Sequence, residues 1–402
     1  METTEAPSFL LLLPPSPSPP TQSVLNAAYG DTLVQVLKEV ANASQESQNA
    51  AVLDIALACP HLVGSRNKPR SNYYAETQSI VAGVYKLICV IAAKERINIE
   101  DADGVDVRVL LVAWRPDERE NSLRSSYGPI IDLECLASSQ RAWQYAFGVE
   151  NSQGEAFVKA FVAAKSGSHG LSQPQTRTSN LPSTHGSVHT ESTGKNYKVA
   201  VGGTFDHIHV GHKLLLTMTL FAADEHDSDK ESQVVVVGIT GDELLQNKKY
   251  ADQLETWHDR QQSALRFLSA LTDFSFPGEP KPTRREVNDE GSNGHAVNIV
   301  YPSGLTLRFV EISDPFGPTI TEKSISALII SGETRSGGKA VNDKRSEKGW
   351  PALQVLEIDV LDPEESTEDS PEQAKKVDEA FQGKLSSTEI RRKLHAKATA
   401  SL

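Results

Sequence analysis

Five short runs of almost uninterrupted apolar residues follow Asn196: YKVAVGG, QVVVVGIT, LRFVEI, ALIIS and LQVLEIDV. Strands that are apolar on both faces must be covered on both faces. Stretches of helical length and periodicity lie between them, notably 211–223 and 256–271. Strand–helix alternation of this kind predicts an α/β fold with a doubly wound parallel sheet. Two polar stretches, 277–298 and 363–382, interrupt the pattern and read as surface insertions, the second of them acidic.

At 402 residues the chain is longer than one domain of about 150 residues. Its first part repeats the alternation. FLLLL, AVLDIALAC, DVRVLLVAW and IIDLECLA read as strands, while the stretches from YYAETQSIV to AAKERI and from RAWQYAFG to FVAAK read as helices. This predicts a second α/β domain over residues 1–165, in which no cluster of charged or nucleophilic residues marks a site. Residues 166–196 are Ser, Thr, Gly, Pro, Gln and His with almost no large apolar side chain, a composition that cannot offset the entropy of ordering. That stretch reads as a linker whose histidines (His169, His185, His189) face solvent, leaving 197–402 as the catalytic domain.

Charge and cysteine usage narrow the class. The net charge of −13 argues against general nucleic-acid binding, which needs a basic footprint. Cys59, Cys89 and Cys135 are scattered in apolar stretches without a CxxC pair, which points to buried thiols in a reducing compartment. The SFLLLLPP run near the start is too short for a signal peptide and is preceded by acidic residues, and no stretch approaches the roughly 18 apolar residues of a membrane span. A cytoplasmic protein with no membrane or nucleic-acid partner is expected.

The chemistry concentrates in VAVGGTFDHIHVGHKLLL, where a strand runs into two glycines and, a turn later, into a helix. Gly202 and Gly203 permit a tight turn and close backbone approach, and Thr204 adds a hydroxyl. The helix beginning near Val210 points unpaired N–H groups into the same space, which is an anion site. His209 and His212, three apart, share one face at its mouth. Three readings compete: a metal site using Asp206, His207, His209 and His212; a structural turn; and phosphate handling. DHIHVGH lacks the residue order of metallo-hydrolases, and no downstream cluster completes a shell; no metal ligand is assigned. In GKLSSTEIRRKL, Ser386 and Glu389 have the spacing of a capping box, and Ser387, Thr388, Lys384 and Arg391 crowd the same helix start. Cations there oppose the helix dipole unless a polyphosphate accompanies them. In GDELLQNKKY, Lys248 or Lys249 could reach a phosphate. The stretches ISDPFGPTI and IISGETRSGGKAVNDKR supply a Pro/Gly loop and the polar set Glu333, Thr334, Arg335, Asn342 and Arg345.

Together these residues resemble the nucleotidyltransferase superfamily, with its HxGH and SSTxIR signatures at His209–His212 and Ser386–Arg391. More narrowly, GGTFDHIHVGHKLLL, DPFGPTI, SGETRSGGKAVNDKR and LSSTEIR resemble, in order and spacing, phosphopantetheine adenylyltransferases of the eukaryotic and archaeal type, over roughly 196–394. Gly332 departs from the family, which more often has an acidic residue there, and His207 occupies a variable position. The resemblance implies a Rossmann-like nucleotidyltransferase fold. It also implies AMP transfer from ATP to 4′-phosphopantetheine, with Mg²⁺ on the nucleotide, and allows association with other enzymes of coenzyme A synthesis. By the same resemblance His209, His212 and Lys248 are catalytic. Gly203, Thr204, Phe205, Glu333, Ser386, Ser387, Thr388 and Arg391 join His212 in holding ATP, and Thr204, Asp206 and Lys248 hold phosphopantetheine. No GxxxxGK[ST] loop occurs, so no fused dephospho-CoA kinase is expected. A cytidylyltransferase acting on a phosphorylated alcohol shares GTFDxxHxGH but would carry an RTxGIST-like second signature. Because every phosphate-directed motif follows the linker, activity is expected from residues 196–402 alone.

Overall fold

The computed structural model describes residues 6–47, 50–66, 68–99, 104–116, 126–167, 194–225, 232–276, 278–358 and 386–400. The linker stretch 168–193, with its three histidines, the acidic stretch 363–382 and Lys384 lie outside them.

Among the described residues, two sheets organise the chain. The first has the order β4-β3-β2-β1-β5 and is built from β1 (Ser8–Leu13), β2 (Ala51–Ala58), β3 (Val105–Val112), β4 (Ile130–Ile131) and β5 (Tyr145–Gly148). All of its pairings are parallel. Its helices are α1 (Gln22–Ser47), α2 (Ser71–Lys94), α3 (Leu133–Ser138) and α4 (Ser152–Gly167). Two readings are corrected here. In IIDLECLA only two residues are strand, because Asp132 accepts the Cys135 amide at 2.6 Å and starts a helix. RAWQYAFG is not helical either: Tyr145–Gly148 joins the sheet edge beside β1, where the rings of Tyr145 and Phe147 stack on Phe9. The sequence also held an unread helix, α1, whose buried positions Leu25, Tyr29, Leu33, Val36, Leu37 and Val40 keep helical spacing.

The second sheet has the order β12-β11-β6-β7-β10-β9-β8, from β6 (Lys198–Gly203), β7 (Gln233–Thr240), β8 (Thr283–Asn288), β9 (His295–Val300), β10 (Leu305–Ile312), β11 (Ala327–Ser331) and β12 (Gln354–Ile358). Its helices are α5 (Val210–Ala222), α6 (Trp257–Thr272), α7 (Arg335–Glu347) and α8 (Ser387–Ala400). β12, β11, β6, β7 and β10 run parallel, so the fold is the doubly wound α/β sheet expected, and β6 is the strand from which the order turns both ways. The first of the two stretches expected as surface insertions does more: residues 283–300 form the antiparallel hairpin β8–β9 that extends the sheet, overlapping the polar stretch that begins at 277.

The halves do not stand apart. One apolar cluster runs from Phe9 and Leu53 through Tyr85 to Phe205, Leu214 and Phe267. Helix α5 packs on β6 and β11 and also on α2, and it is buried on almost every side. Helix α2 itself is long and apolar enough to cross a membrane, contrary to the expectation that no stretch approaches this, but most of it is buried against α1 and α5.

Candidate active site

In parallel sheets the space beyond the carboxyl ends of the strands, where the order reverses, is free of side-chain cover. A cleft of about 280 Å³ opens there, lined by Gly202, Gly203, Gly238, Asp314, Ile330 and Gly338 among others. Its floor is deep because Gly202 and Gly238 are register partners on β6 and β7. A Cβ on Gly238 would come within 2.5 Å of Ile312. One wall is the DPFGPTI loop, which Asp314 folds by accepting the Phe316 and Gly317 amides at 2.8 and 2.9 Å. Asn293, from the hairpin turn, donates to Asp314 at 2.6 Å, so the polar insertion supports a wall of the cleft.

Beside this floor the chain leaves β6 through a contorted turn. Phe205 and His207 take positive φ angles of 53° and 46°, costly for residues with side chains, and hold them because both are fixed from outside. Phe205 is buried in the core. The His207 amide donates to Glu255 at 2.7 Å, and its ring bonds the Gln253 carbonyl at 2.8 Å, so this histidine serves the turn. Arg260, fully buried on α6 and not singled out by the motifs, donates to the Thr204 carbonyl at 2.7 Å, to Glu255 O at 3.0 Å and to Asp242 at 2.6 Å. It pins the threonine at the end of the glycine floor. A single arginine on one face of a helix gives no spacing signal, so only the folded geometry shows this.

His209 and His212 emerge together at the mouth of α5. Their rings stack with centroids 3.9 Å apart, and His212 also meets Phe205 at 5.4 Å. His209 holds the N-cap position with extended backbone (φ −115°, ψ 175°) but its side chain caps no amide. The Nδ1 atoms of both rings are buried without a hydrogen-bond partner. Burial, helped by the facing His212, pushes the His209 imidazole well below its ordinary value. Burial likewise lowers His212 to about 4, although Asp206 pulls the other way. Both rings are neutral at pH 7, and a neutral imidazole carries one N–H that can be donated without adding positive charge.

The SSTxIR helix docks on this same turn. Ser387 Oγ donates to the Asp206 carbonyl at 2.8 Å. Asp206, fully buried, accepts the Glu255 amide at 3.0 Å and forms an ion pair with Arg391, itself buried. Arg391 also donates to Lys249 O at 3.0 Å and Thr388 Oγ1 at 3.2 Å. The assignments of Arg391 to ATP phosphates and of Asp206 to phosphopantetheine meet a different placement: each is the other's partner, and together they tie three motifs into one knot. The capping box is only half formed, since Ser386 accepts the Glu389 amide at 3.4 Å while the Glu389 carboxylate binds Arg392 at 2.9 Å. Lys248 is exposed, and no described residue accepts from its ammonium. Thr388 is exposed, as is Glu333, in the turn after β11 on the far side of the cleft. Of the fourth motif's polar set, Arg345 is a buried structural peg donating to the carbonyls of Thr319, Lys323, Ile325 and Pro351. Asn342 exchanges bonds with Leu353. Among the described residues no three His, Cys, Asp or Glu side chains converge as metal ligands.

The glycine floor at the switch point of the parallel sheet and the helix mouth lined by HxGH both fall within residues 200–393, which match the cytidylyltransferase-like family. Residues 1–184 match a family described only as a domain of unknown function. The particular relatives are sharper. A phosphopantetheine adenylyltransferase of Saccharomyces cerevisiae is 34% identical over 209 residues, 52% of this chain and 52% of that protein. One from Thermococcus kodakarensis is 28% identical over 167 residues, 42% of this chain and 77% of that protein. An uncharacterized protein of Schizosaccharomyces pombe is 36% identical over 177 residues, 43% of this chain and 44% of that protein. The chain spans about half the length of the two yeast relatives.

Proposed function

We propose that this protein is a pantetheine-phosphate adenylyltransferase, transferring AMP from ATP to 4′-phosphopantetheine to give dephospho-CoA and pyrophosphate. The observation that carries the reading is the pair of stacked, neutral imidazoles with unpartnered nitrogens at an uncapped helix mouth beside a glycine floor. The acceptor phosphate is already anionic at neutral pH, so no general base is needed. One of its oxygens attacks the α-phosphorus, the bond from that phosphorus to the bridging oxygen breaks, and pyrophosphate leaves with the electron pair. Mg²⁺ arrives with the nucleotide as part of the substrate and offsets its charge. The protein's share is alignment and hydrogen bonding to the charge that develops.

In this reading His209 and His212 donate to the transferring phosphoryl group, and Thr204, its carbonyl fixed by Arg260, lies where the two phosphates meet. Lys248 holds the acceptor phosphate, and Ser387 and Thr388 flank the polyphosphate. Arg391 works through Asp206, keeping the SSTxIR helix against the turn, and Glu333 serves the nucleotide from the opposite rim. Pyrophosphate release with ATP or CTP against a panel of phosphorylated acceptors tests the assignment. ATP with phosphopantetheine should be turned over fastest. Faster release from CTP with a phosphorylated alcohol would replace this reading with a cytidylyltransferase.

A further inference from the structure

We infer that the N-terminal α/β domain is a positioning element of the nucleotidyl-transfer site, and that Lys213, acting through Asp106, is its positioning residue. The inference rests on the reading of His209 and His212 proposed above.

Lys213 directly follows His212 in HVGHK. Its amide closes the first turn of α5 on the His209 carbonyl at 2.9 Å. Its side chain, 6% exposed, leaves the C-terminal sheet altogether. The ammonium donates to Asp106 at 2.6 Å and to the Val107 carbonyl at 3.0 Å, both on β3 of the N-terminal sheet. Arg108 completes the Asp106 carboxylate at 2.6 Å. An ammonium is costly to bury, and an apolar side chain would pack there at less cost. What the ion pair adds is a fixed distance and direction at the turn carrying both histidines, where apolar contacts alone would permit sliding.

The far end of α5 is held from the same side. Asp224 accepts the Arg70 amide at 2.7 Å, and Glu225 pairs with Arg70 at 2.6 Å and Arg66 at 3.1 Å. The rings of Phe221 and Tyr74 meet between the ends, 6.3 Å apart. Helix α6, which carries Arg260, is treated alike. Arg141, paired with Asp54 at 2.9 Å, donates to the carbonyls of Ala270 and Asp273 at the helix's end. The Gly128 amide donates to Thr272 O at 2.7 Å. Both helices that frame the site are therefore braced from outside their own sheet, against the expectation that residues 196–402 suffice.

The test uses the full chain with K213M, D106N, K213R and the double variant D106N/K213M. K38M, in the exposed Lys38–Glu95 pair elsewhere on the N-terminal domain, is the control. A small displacement of reacting groups lowers turnover without weakening ground-state binding. K213M should therefore lower kcat about ten-fold with KM for ATP within about two-fold. D106N should do the same, and the double variant should be no worse than K213M, because both act through one contact. K213R should recover much of the loss, and K38M should leave kcat unchanged. The ring-nitrogen resonances of His209 and His212 should move in K213M but not in K38M. These resonances read the positioning even if the wild type fails to adenylate phosphopantetheine, so failure of the proposed function is told apart from failure of this inference. If K213M does not fold, isosteric D106N carries the same comparison. Unchanged kcat and unchanged histidine resonances in a folded variant would overturn the inference, as would an equal loss in K38M.

Discussion

Two helix mouths, at opposite ends of α5, are finished in opposite ways. At α2 the Arg70 amide, just ahead of the first turn, is met by the Asp224 carboxylate from the other half of the protein at 2.7 Å. At α5 the N-cap residue is a histidine whose ring caps nothing, followed by a second histidine with an orphaned Nδ1. Every helix start carries amides that need an acceptor and a partial positive charge that favours an anion. Where the protein supplies its own carboxylate, the mouth is a structural joint. Where it supplies only neutral donors, the mouth is left open to water or to an anion from a ligand. The two mouths are linked, since the carboxylate that closes α2 sits just past the end of α5 and braces the helix whose other end is open.

The largest effect should come from the open mouth. His212→Ala should lower kcat about 10²–10³-fold, the loss expected for one donor to a developing oxyanion. ATP affinity should fall much less, because the bond strengthens chiefly in the transition state. Steady-state and single-turnover rates with ATP and phosphopantetheine check this. A rise in KM with kcat intact would make His212 a ground-state contact only. The closed mouth should behave in reverse. Asp224→Ala leaves the Arg70 and Asn196 amides without their acceptor, so stability should drop on the order of 3 kcal/mol. Chemical denaturation measures it, and the kcat of the folded fraction should change far less than in His212→Ala.

An open mouth calls for a cation that the protein has not already spent. Arg391 is spent on Asp206 and Lys213 on Asp106, whereas Lys248 is exposed. Lys248→Ala should raise the KM for phosphopantetheine about ten-fold, with a smaller change for ATP, as for the loss of a partly solvated charge pair. Equal changes for the two substrates would remove Lys248 from the acceptor side.

The open mouth was legible in the sequence and the closed one was not. HVGH after a double-glycine turn carries its chemistry in consecutive residues, and the strand, turn and helix that bring them to one place are read from the same short stretch. Asp224, Arg70, Asp106 and Lys213 each look like ordinary surface charges, and their pairing depends on how two sheets meet. One signal was present. KLLLTMTLFAA is apolar all round, as only a helix covered on every side can be, and one sheet covers only one side. The strand misreadings have equally local causes. The Asp132 cap turned an apolar run into a helix, and YAFG had the composition of either element until the edge beside Phe9 decided it. Arg391 shows a part of the fold that its motif does not carry: a cation at a helix start suggests a bound anion, and within the chain it is paired with Asp206, a residue 185 positions earlier.

The smallest effect would bear most directly on the difference between the mouths. His209→Asp gives α5 the kind of acceptor that α2 already has. The backbone at residue 209 is extended, as an N-cap requires, so the new carboxylate can accept the Gly211 or His212 amide without rearrangement. Capping and the favourable charge at the helix start should together raise stability by about 0.5–1 kcal/mol, offset in part by the lost ring stacking on His212. The same carboxylate would occupy the place proposed for phosphate and repel it, so ATP binding by calorimetry should be lost while the melting temperature holds or rises. A loss of stability with ATP binding intact would show that the His209 ring is needed for packing and that the anion binds elsewhere. In that case the open mouth would be a joint like the other, closed by aromatic stacking in place of a carboxylate.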